Sequence, residues 1–356
     1  MVIQKLKIRE DCRRDGLAAT FLLDGEAISH ISNAFSGSII NIGYPSICDE
    51  EYNACKEILE YNKDNTNSEF AVVGHARKTH LISMNNLLES YPNASANIWM
   101  PTSDYFIKRT INIDPNKIIY ETCNLVNYWN KINGKKHFDV ALTDITASED
   151  GIERRLNEWG RALFDVNVRN IILCDTRGIA TPESLNTLLG KIDLPKERLE
   201  FHPHNDNNYA KENVTIALNH GIYRIGTAIY NSSERQNMLD PRDLVSNGLN
   251  YNHEAFLAFE QDFKNKIGDP NEILKKVYGD NVITTGTQYR LRNRDPNLKM
   301  VFGVTSDTFI LSKMLGLSIE EVTSPYLQHL KNKLLYERKK LALNQSELKQ
   351  ILHLKK

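Results

Sequence analysis

The chain has 356 residues, enough for one large α/β barrel or two ordinary domains. Its formal net charge is −1, with 41% hydrophobic and 25% charged residues, a globular composition that gives no reason to expect a nucleic-acid partner. The start, "MVIQKLKIREDC", has no apolar run long enough for a signal peptide, and no segment approaches a membrane span. The five cysteines, Cys12, Cys48, Cys55, Cys123 and Cys174, are odd in number and form no CxxC pair, so they read as reduced thiols of a cytoplasmic protein. A basic bias appears only toward the C-terminus, in "HLKNKLLYERKK" and Lys355 and Lys356, and reads as a solvated helix face.

Short runs rich in Val and Ile recur along the chain, each closed by polar residues or glycine. They fall at 2–8, 37–43, 69–76, 96–101, 138–145, 170–176, 198–204 and 223–230, eight in all. Helical patterns lie between them. "DEEYNACKEILEYNKD" opens with an acidic turn and sets Tyr52, Cys55, Ile58 and Leu59 at helical spacing. "GIERRLNEWGRALFDV" aligns Ile152, Leu156, Trp159 and Leu163 on one stripe. "TPESLNTLLGKI" offers Thr181 as N-cap, Pro182 at the first helical position and Glu183 where the helix dipole favours an anion. "NYAKENVTIALNHG" stops at Gly221. After the eighth run comes a further helix, "GLNYNHEAFLAFEQDFKNKIG", then an irregular basic stretch over 281–303. Helical segments close the chain, the last capped by Asn344 with Glu347 three residues on. Eight strands alternating with helices predict a (β/α)8 TIM barrel over 1–279, followed by a small helical subdomain over 280–356. A doubly wound open sheet is the rival, but no Gly-rich phosphate fingerprint follows the first strand.

In such a barrel the active site lies at the C-terminal ends of the strands. There "FHPHND" ends strand seven with His202 and His204. Strand side chains alternate, so both imidazoles face one way, ~6–7 Å apart along the strand. Other strand ends bring Arg14 and Asp15, Asn41, His75 and Arg77, Ser103 and Asp104, Asp144, Asp175 and Thr176, and Asn231 to the same mouth. Asp15 and the two imidazoles make a three-ligand site for a divalent ion, with further positions open to water or substrate oxygens. Each residue also has a plainer reading. The histidines would pack inside the barrel, Asp15 would cap a helix start, Arg14 would pair with a neighbour such as Asp175, and Thr176 would be a simple strand-end hydroxyl. Asn41, His75 and Arg77 would be structural hydrogen-bonders, and Asn237 an ordinary loop amide.

Four motifs, "RRDG", "NIGYPS", "CDTRGIATPE" and "HPHND…AKENVTIALNHG", carry a resemblance through their order and spacing from strand one to strand eight. They resemble the metal-dependent acyltransferases and lyases that include isopropylmalate, homocitrate and citramalate synthases and hydroxymethylglutaryl-CoA lyase. The C-terminal helices are similar to the linker subdomain of the synthases, the branch the chain most resembles. The resemblance implies that Asp15, His202 and His204 bind a divalent metal, Mg2+, Mn2+ or Zn2+, which chelates a 2-oxo acid. It implies that Arg14 faces the oxygen that becomes an alkoxide when a carbon nucleophile attacks. Thr176 would bind the substrate carboxylate, and Arg77, from strand three, is the expected partner of a distal carboxylate. The nucleophile would be the enolised methyl of acetyl-CoA or a similar acyl-CoA, with thioester hydrolysis driving the reaction. A homodimer is implied as well.

The pattern departs in places. Leu17 and Ala18 follow Arg-Asp-Gly where the family has Glu-Gln or similar, and Asn41 stands where a strand-two Glu is expected. Tyr105 or Phe106 falls where a His is expected. Beyond strand eight the family reads Gly-Glu-Arg-x-Gly-Asn, whose Asn completes the metal shell; "SSERQNML" makes Asn237 the nearest candidate, one residue early. No counterpart of the synthase linker's Ser-Gly-Ile-His motif is present. A metal-dependent lyase or aldolase would use the same ion and Arg14 in reverse, but the acyl-CoA lyases carry a cysteine after strand eight and "IYNSSERQN" has none. Non-haem iron oxygenases share the ligand set on an antiparallel barrel, and zinc hydrolases on βα barrels place His-x-His near the first strand. A non-catalytic binding relative is the remaining alternative. The expected activity is condensation of an acyl-CoA with a 2-oxo acid, without the extra C-terminal domain that gives feedback control in many isopropylmalate synthases.

Overall fold

The computed structural model describes residues 5–16, 23–146, 149–233, 238–270, 282–292, 298–336 and 342–352. Eight parallel strands close in chain order into a barrel: β1 Lys7–Glu10, β2 Ile39–Gly43, β3 Glu69–His75, β4 Ala94–Pro101, β5 Phe138–Thr143, β6 Ile171–Asp175, β7 Leu199–Pro203 and β8 Arg224–Thr227. β8 pairs back onto β1, from Lys7 opposite Arg224 to Glu10 opposite Thr227, so no barrel strand is left as an edge. The (β/α)8 expectation holds. β1 is the one strand displaced from its expected run, reaching Glu10 rather than ending at 8. Arg9 and Glu10 look like a polar strand end, yet both are fully buried in ion pairs and backbone hydrogen bonds.

Among the described residues ten helices surround the strands: α1 Cys12–Gly16, α2 Gly25–Ala34, α3 Asp49–Tyr61, α4 Lys78–Leu88, α5 Asp104–Thr110, α6 Pro115–Asn133, α7 Ile152–Asp165, α8 Pro182–Gly190, α9 Ala210–Asn219 and α10 His253–Lys266. α7 buries Ile152, Leu156, Trp159 and Leu163, the stripe read from its sequence. α8 starts on Thr181, whose side chain accepts from Ser184 N at 3.2 Å, with Pro182 in the first turn. α9 stops short of Gly221, which takes a φ of +83°.

The barrel interior is unusually ionic toward the strand N-termini. Arg9 donates to Glu200 Oε1 at 2.6 Å and to Asp139 Oδ2 at 2.7 Å, and Arg169 reaches Asp139 and Glu69 at 2.6 Å. One step further along, Ala141, Ile172 and Cys174 form a small apolar cluster with Trp99. Alternation then sends Asp11, Asn41 and His202 inward in the next layer. β8 presents Gly226 toward His202, so side chains of β1 and β7, two strands apart, meet across it.

The C-terminal region is helical, with Gly286–Arg292, Thr308–Leu315, Ser324–Lys331 and Gln345–Ile351, and also carries a small sheet. β10 Lys299–Phe302 lies between β9 Val282–Ile283, parallel, and β11 Leu343–Asn344, antiparallel. Two of these strands fall in the stretch read as irregular; at two and four residues they are too short for periodicity to reveal. This region has its own apolar core around Ile283, Phe302, Ile310, Leu311, Met314 and Leu343. The boundary expected at 279/280 lies outside the described residues. It meets the barrel at α3, where Gln328 Nε2 donates to Glu50 Oε2 at 3.0 Å, and at α5, against which Gly286–Arg292 packs. Among the described residues no helix is long and apolar enough to cross a membrane.

Candidate metal centre

α1 is a single turn directly after β1, and it delivers Arg14 and Asp15 to the C-terminal mouth of the barrel. β7 delivers the imidazoles, His202 on the strand and His204 just past its end, where it bridges to Met238. Their ring centroids are 5.3 Å apart. One ligand atom from each of Asp15, His202 and His204 lies within 4.8 Å of the others, and all three residues are buried. A carboxylate oxygen and two imidazole nitrogens converging so closely suit one divalent cation. His202 Nε2 stands 3.8 Å from Asp15 Oδ2, too far for a direct hydrogen bond. That is a separation two donors to a shared ion can adopt.

Arg14 lies against this cluster. Its Nη1 donates to Asp15 Oδ1 at 2.6 Å and its Nε is 3.5 Å from Asp11 Oδ1, so its partners are these two carboxylates rather than Asp175. Burial alone would disfavour the Arg14 cation, but Asp15 and Asp11 outweigh it and hold the proton beyond the ordinary arginine range. Asp175 instead accepts from Thr146 and from the backbone N–H groups of Ile179 and Ala180.

Asp11 is a site residue that the sequence reading missed. It is fully buried at the end of β1. Its Oδ1 accepts from the Asn41 side-chain amide, and its Oδ2 lies 3.1 Å from His202 Nδ1. Asn41 thus meets the cluster through a carboxylate on the neighbouring strand. Burial would raise the Asp11 carboxyl, but Arg14, His202 and Arg9 override it and hold it well below the usual range. The signal available in the sequence was parity: Arg9 and Asp11 share the inward face of β1.

The other expected residues divide. Thr176 is buried at the end of β6, where its hydroxyl accepts from Asp144 N at 2.8 Å. His75 and Arg77 lie on the β2–β4 side of the mouth. The His75 ring packs 4.8 Å from Trp99 and 5.4 Å from Tyr44, and Tyr44 Oη accepts from Trp99 Nε1 at 2.7 Å. Burial, then His80 and Arg77, push His75 down to about 3, so it is a neutral imidazole. Arg77 is exposed at the start of α4, with no carboxylate in ion-pair range among the described residues. Asn237, the candidate fourth ligand, lies outside the described residues. Asp144 was one of several strand-end carboxylates, and the structure gives it a specific task. With a φ of +61° it accepts from Ser103 Oγ at 2.5 Å and from Arg177 Nε at 2.7 Å, tying the ends of β4, β5 and β6 together. A surface groove of about 510 Å³ lined by Glu149, Glu153, Glu183 and Lys191 shares no residue with the cluster.

Residues 26–240, which span α2 to the segment beyond β8, match the family described as HMGL-like. The chain belongs to the HMGL-like family. The family is divalent-metal-dependent, in keeping with the buried Asp and His cluster, and its members are enzymes of the aldolase, lyase or condensing kind. No curated protein sequence matches the chain. The fold is similar to that of an HMG-CoA lyase from Brucella melitensis, with a TM-score of 0.61 and 15% identity over 75% of this chain and 100% of that one. It is similar to an HMG-CoA lyase from Acinetobacter baumannii in complex with coenzyme A and 3-methylmalate, with a TM-score of 0.58 and 16% identity over 74% of this chain and 92% of that one. The N-terminal domain of a putative aldolase from Bacteroides vulgatus aligns over 94% of this chain and 97% of its own, with a TM-score of 0.57 and 14% identity. At these identities the likeness is one of fold.

Proposed function

We propose that this HMGL-like protein is a divalent-metal-dependent enzyme that makes or breaks a carbon–carbon bond beside the carbonyl of a 2-oxo acid. The observation that carries the reading is the buried convergence of Asp15, His202 and His204 with Arg14 held 2.6 Å from Asp15. A cation bound by those three residues would supply Lewis acidity to a carbonyl oxygen. Arg14, kept charged by Asp11 and Asp15, places a permanent cation where an oxyanion would develop, and being partly buried it acts through a low dielectric. Thr176 and Arg77 would orient the carboxylates of the acid, the first close to the reacting carbon and the second at the far end. His75, being neutral, would donate or accept a hydrogen bond without adding charge.

Two directions of reaction share this machinery. The order of the four motifs and the cysteine-free stretch after β8 favour condensation of acetyl-CoA, or a similar acyl-CoA, with the acid, as in the synthases. The likeness of 94% of the chain to a putative aldolase domain favours aldol cleavage of a hydroxy acid. A panel of 2-oxo acids incubated with acetyl-CoA and Mg2+, Mn2+ or Zn2+ separates them. Free thiol release that disappears in Asp15→Asn and His204→Ala supports condensation. Silence there, with 2-oxo acid release from hydroxy acids or aldols, supports cleavage. Turnover undiminished in both variants rules out the site.

A further inference from the structure

We infer that Asp11 is a positioning residue of the metal centre, fixing the His202 tautomer and aligning Arg14. The inference rests on the metal-site reading above and extends it to a residue outside the Asp-His-His set. An imidazole that ligates a cation through one nitrogen carries a proton on the other, and that N–H needs an acceptor which also fixes the ring plane. His202 is placed for this arrangement. Its Nε2 faces Asp15 at 3.8 Å, while its Nδ1 lies 3.1 Å from Asp11 Oδ2. A carboxylate this close to Nδ1 favours the proton on that nitrogen and the lone pair on Nε2.

Asp11 itself is held from three sides. Its backbone N–H donates to Thr227 O at 2.8 Å, its Oδ1 accepts from the Asn41 amide, and Arg14 Nε stands 3.5 Å from that same oxygen. Gly226 leaves the gap in β8 through which Asp11 and His202 meet; a Cβ there would lie 2.6 Å from His202 Nδ1. Strand two carries an amide where a carboxylate was expected, and the carboxylate stands on strand one instead, hydrogen-bonded to that amide. One anion thus orients both a ligand imidazole and the guanidinium, without facing the shared ligand position itself.

The test is Co2+ titration of the chelator-treated full chain, followed by visible absorbance. The parent should bind with d–d bands and Asp15→Asn should lose them. Asp11→Asn, the same size without the charge, should bind Co2+ roughly 10- to 100-fold more weakly with shifted bands, its far-UV circular dichroism unchanged. Should Asp11→Asn fail to fold, Asn41→Ala loosens Asp11 without removing it. Weaker Co2+ binding by that variant then supports the assignment, and parent-like binding overturns it. Parent-like binding by Asp11→Asn alongside loss in Asp15→Asn leaves the metal site standing and overturns the positioning role. Loss in Asp11→Asn as complete as in Asp15→Asn makes Asp11 a ligand, which also overturns it. Parent-like binding by Asp15→Asn defeats the metal site, and this inference with it.

Discussion

Replacing Gly226 by alanine puts a single methyl group where the structure leaves no room for one. The added Cβ would lie 2.6 Å from His202 Nδ1 and 3.2 Å from its Cα and Cγ. Ordinary contacts begin near ~3.4 Å, so the imidazole must retreat by roughly 0.8 Å, which pulls Nδ1 from Asp11 and Nε2 from the Asp15 side. Overpacking of this kind costs about 1–3 kcal/mol. With an unfolding entropy of roughly 2.1 cal/mol/K per residue, a chain of this length should lose about 1–4 °C in Tm. The effect on metal binding should be larger in proportion, roughly 10- to 100-fold weaker Mn2+ affinity, because a ligand leaves its position. Gly248→Ala is the control. Its φ of +95° makes alanine strained, but nothing lies within 4 Å of the new Cβ, so it should cost stability and leave Mn2+ affinity alone. The assay is paired calorimetry, scanning for Tm and titration for Mn2+. Equal Mn2+ affinities in Gly226→Ala and the parent would refute the claim that His202 is fitted to its place across β8.

Three further outcomes are expected. Arg77→Ala should raise KM for acids bearing a distal carboxylate by roughly 10- to 100-fold while kcat moves little, because the lost hydrogen bonds serve ground state and transition state alike; steady-state kinetics against an acid lacking that carboxylate checks it. Burial pushes the Lys331 ammonium down to about 8 against the pull of Cys48, Asp307 and Glu51, so between about 8 and 10.5 the unfolded chain holds a proton that the folded one does not. Stability should therefore rise across that window, by roughly 3 kcal/mol if Lys331 alone titrated, and Lys331→Met should flatten that contribution in denaturant melts taken at pH 8 and 10. Thr181→Ala removes the acceptor for Ser184 N at the start of α8 and should cost about 1 kcal/mol, measured by urea denaturation, without affecting metal binding.

The barrel was legible because its strands are apolar runs separated by amphipathic helices, and closure leaves few other ways to bury them. The apolar stripe of α7 and the Thr181 cap of α8 mark where those helices lie. The convergence of Asp15, His202 and His204 was legible for a different reason, since His-x-His on a strand must face one way. What stayed hidden was the partner across the barrel. Asp11 and His202 are far apart in sequence and meet only because β8 offers a glycine between them, a relation of register and side-chain volume that no local pattern contains. The short strands β9, β10 and β11 were hidden because two to four residues form no readable period, and the Asp144 knot depends on where three strand ends stop.

The central claim is that Asp15, His202 and His204 hold one divalent cation at the mouth of the barrel, beside Arg14. Anomalous diffraction at the Mn or Zn absorption edge, from crystals grown with that metal, tests it most directly. The account predicts one strong peak within about 2.0–2.3 Å of a carboxylate oxygen of Asp15 and a ring nitrogen of each histidine. A peak elsewhere, or full metal occupancy with those three side chains turned away from it, would contradict it.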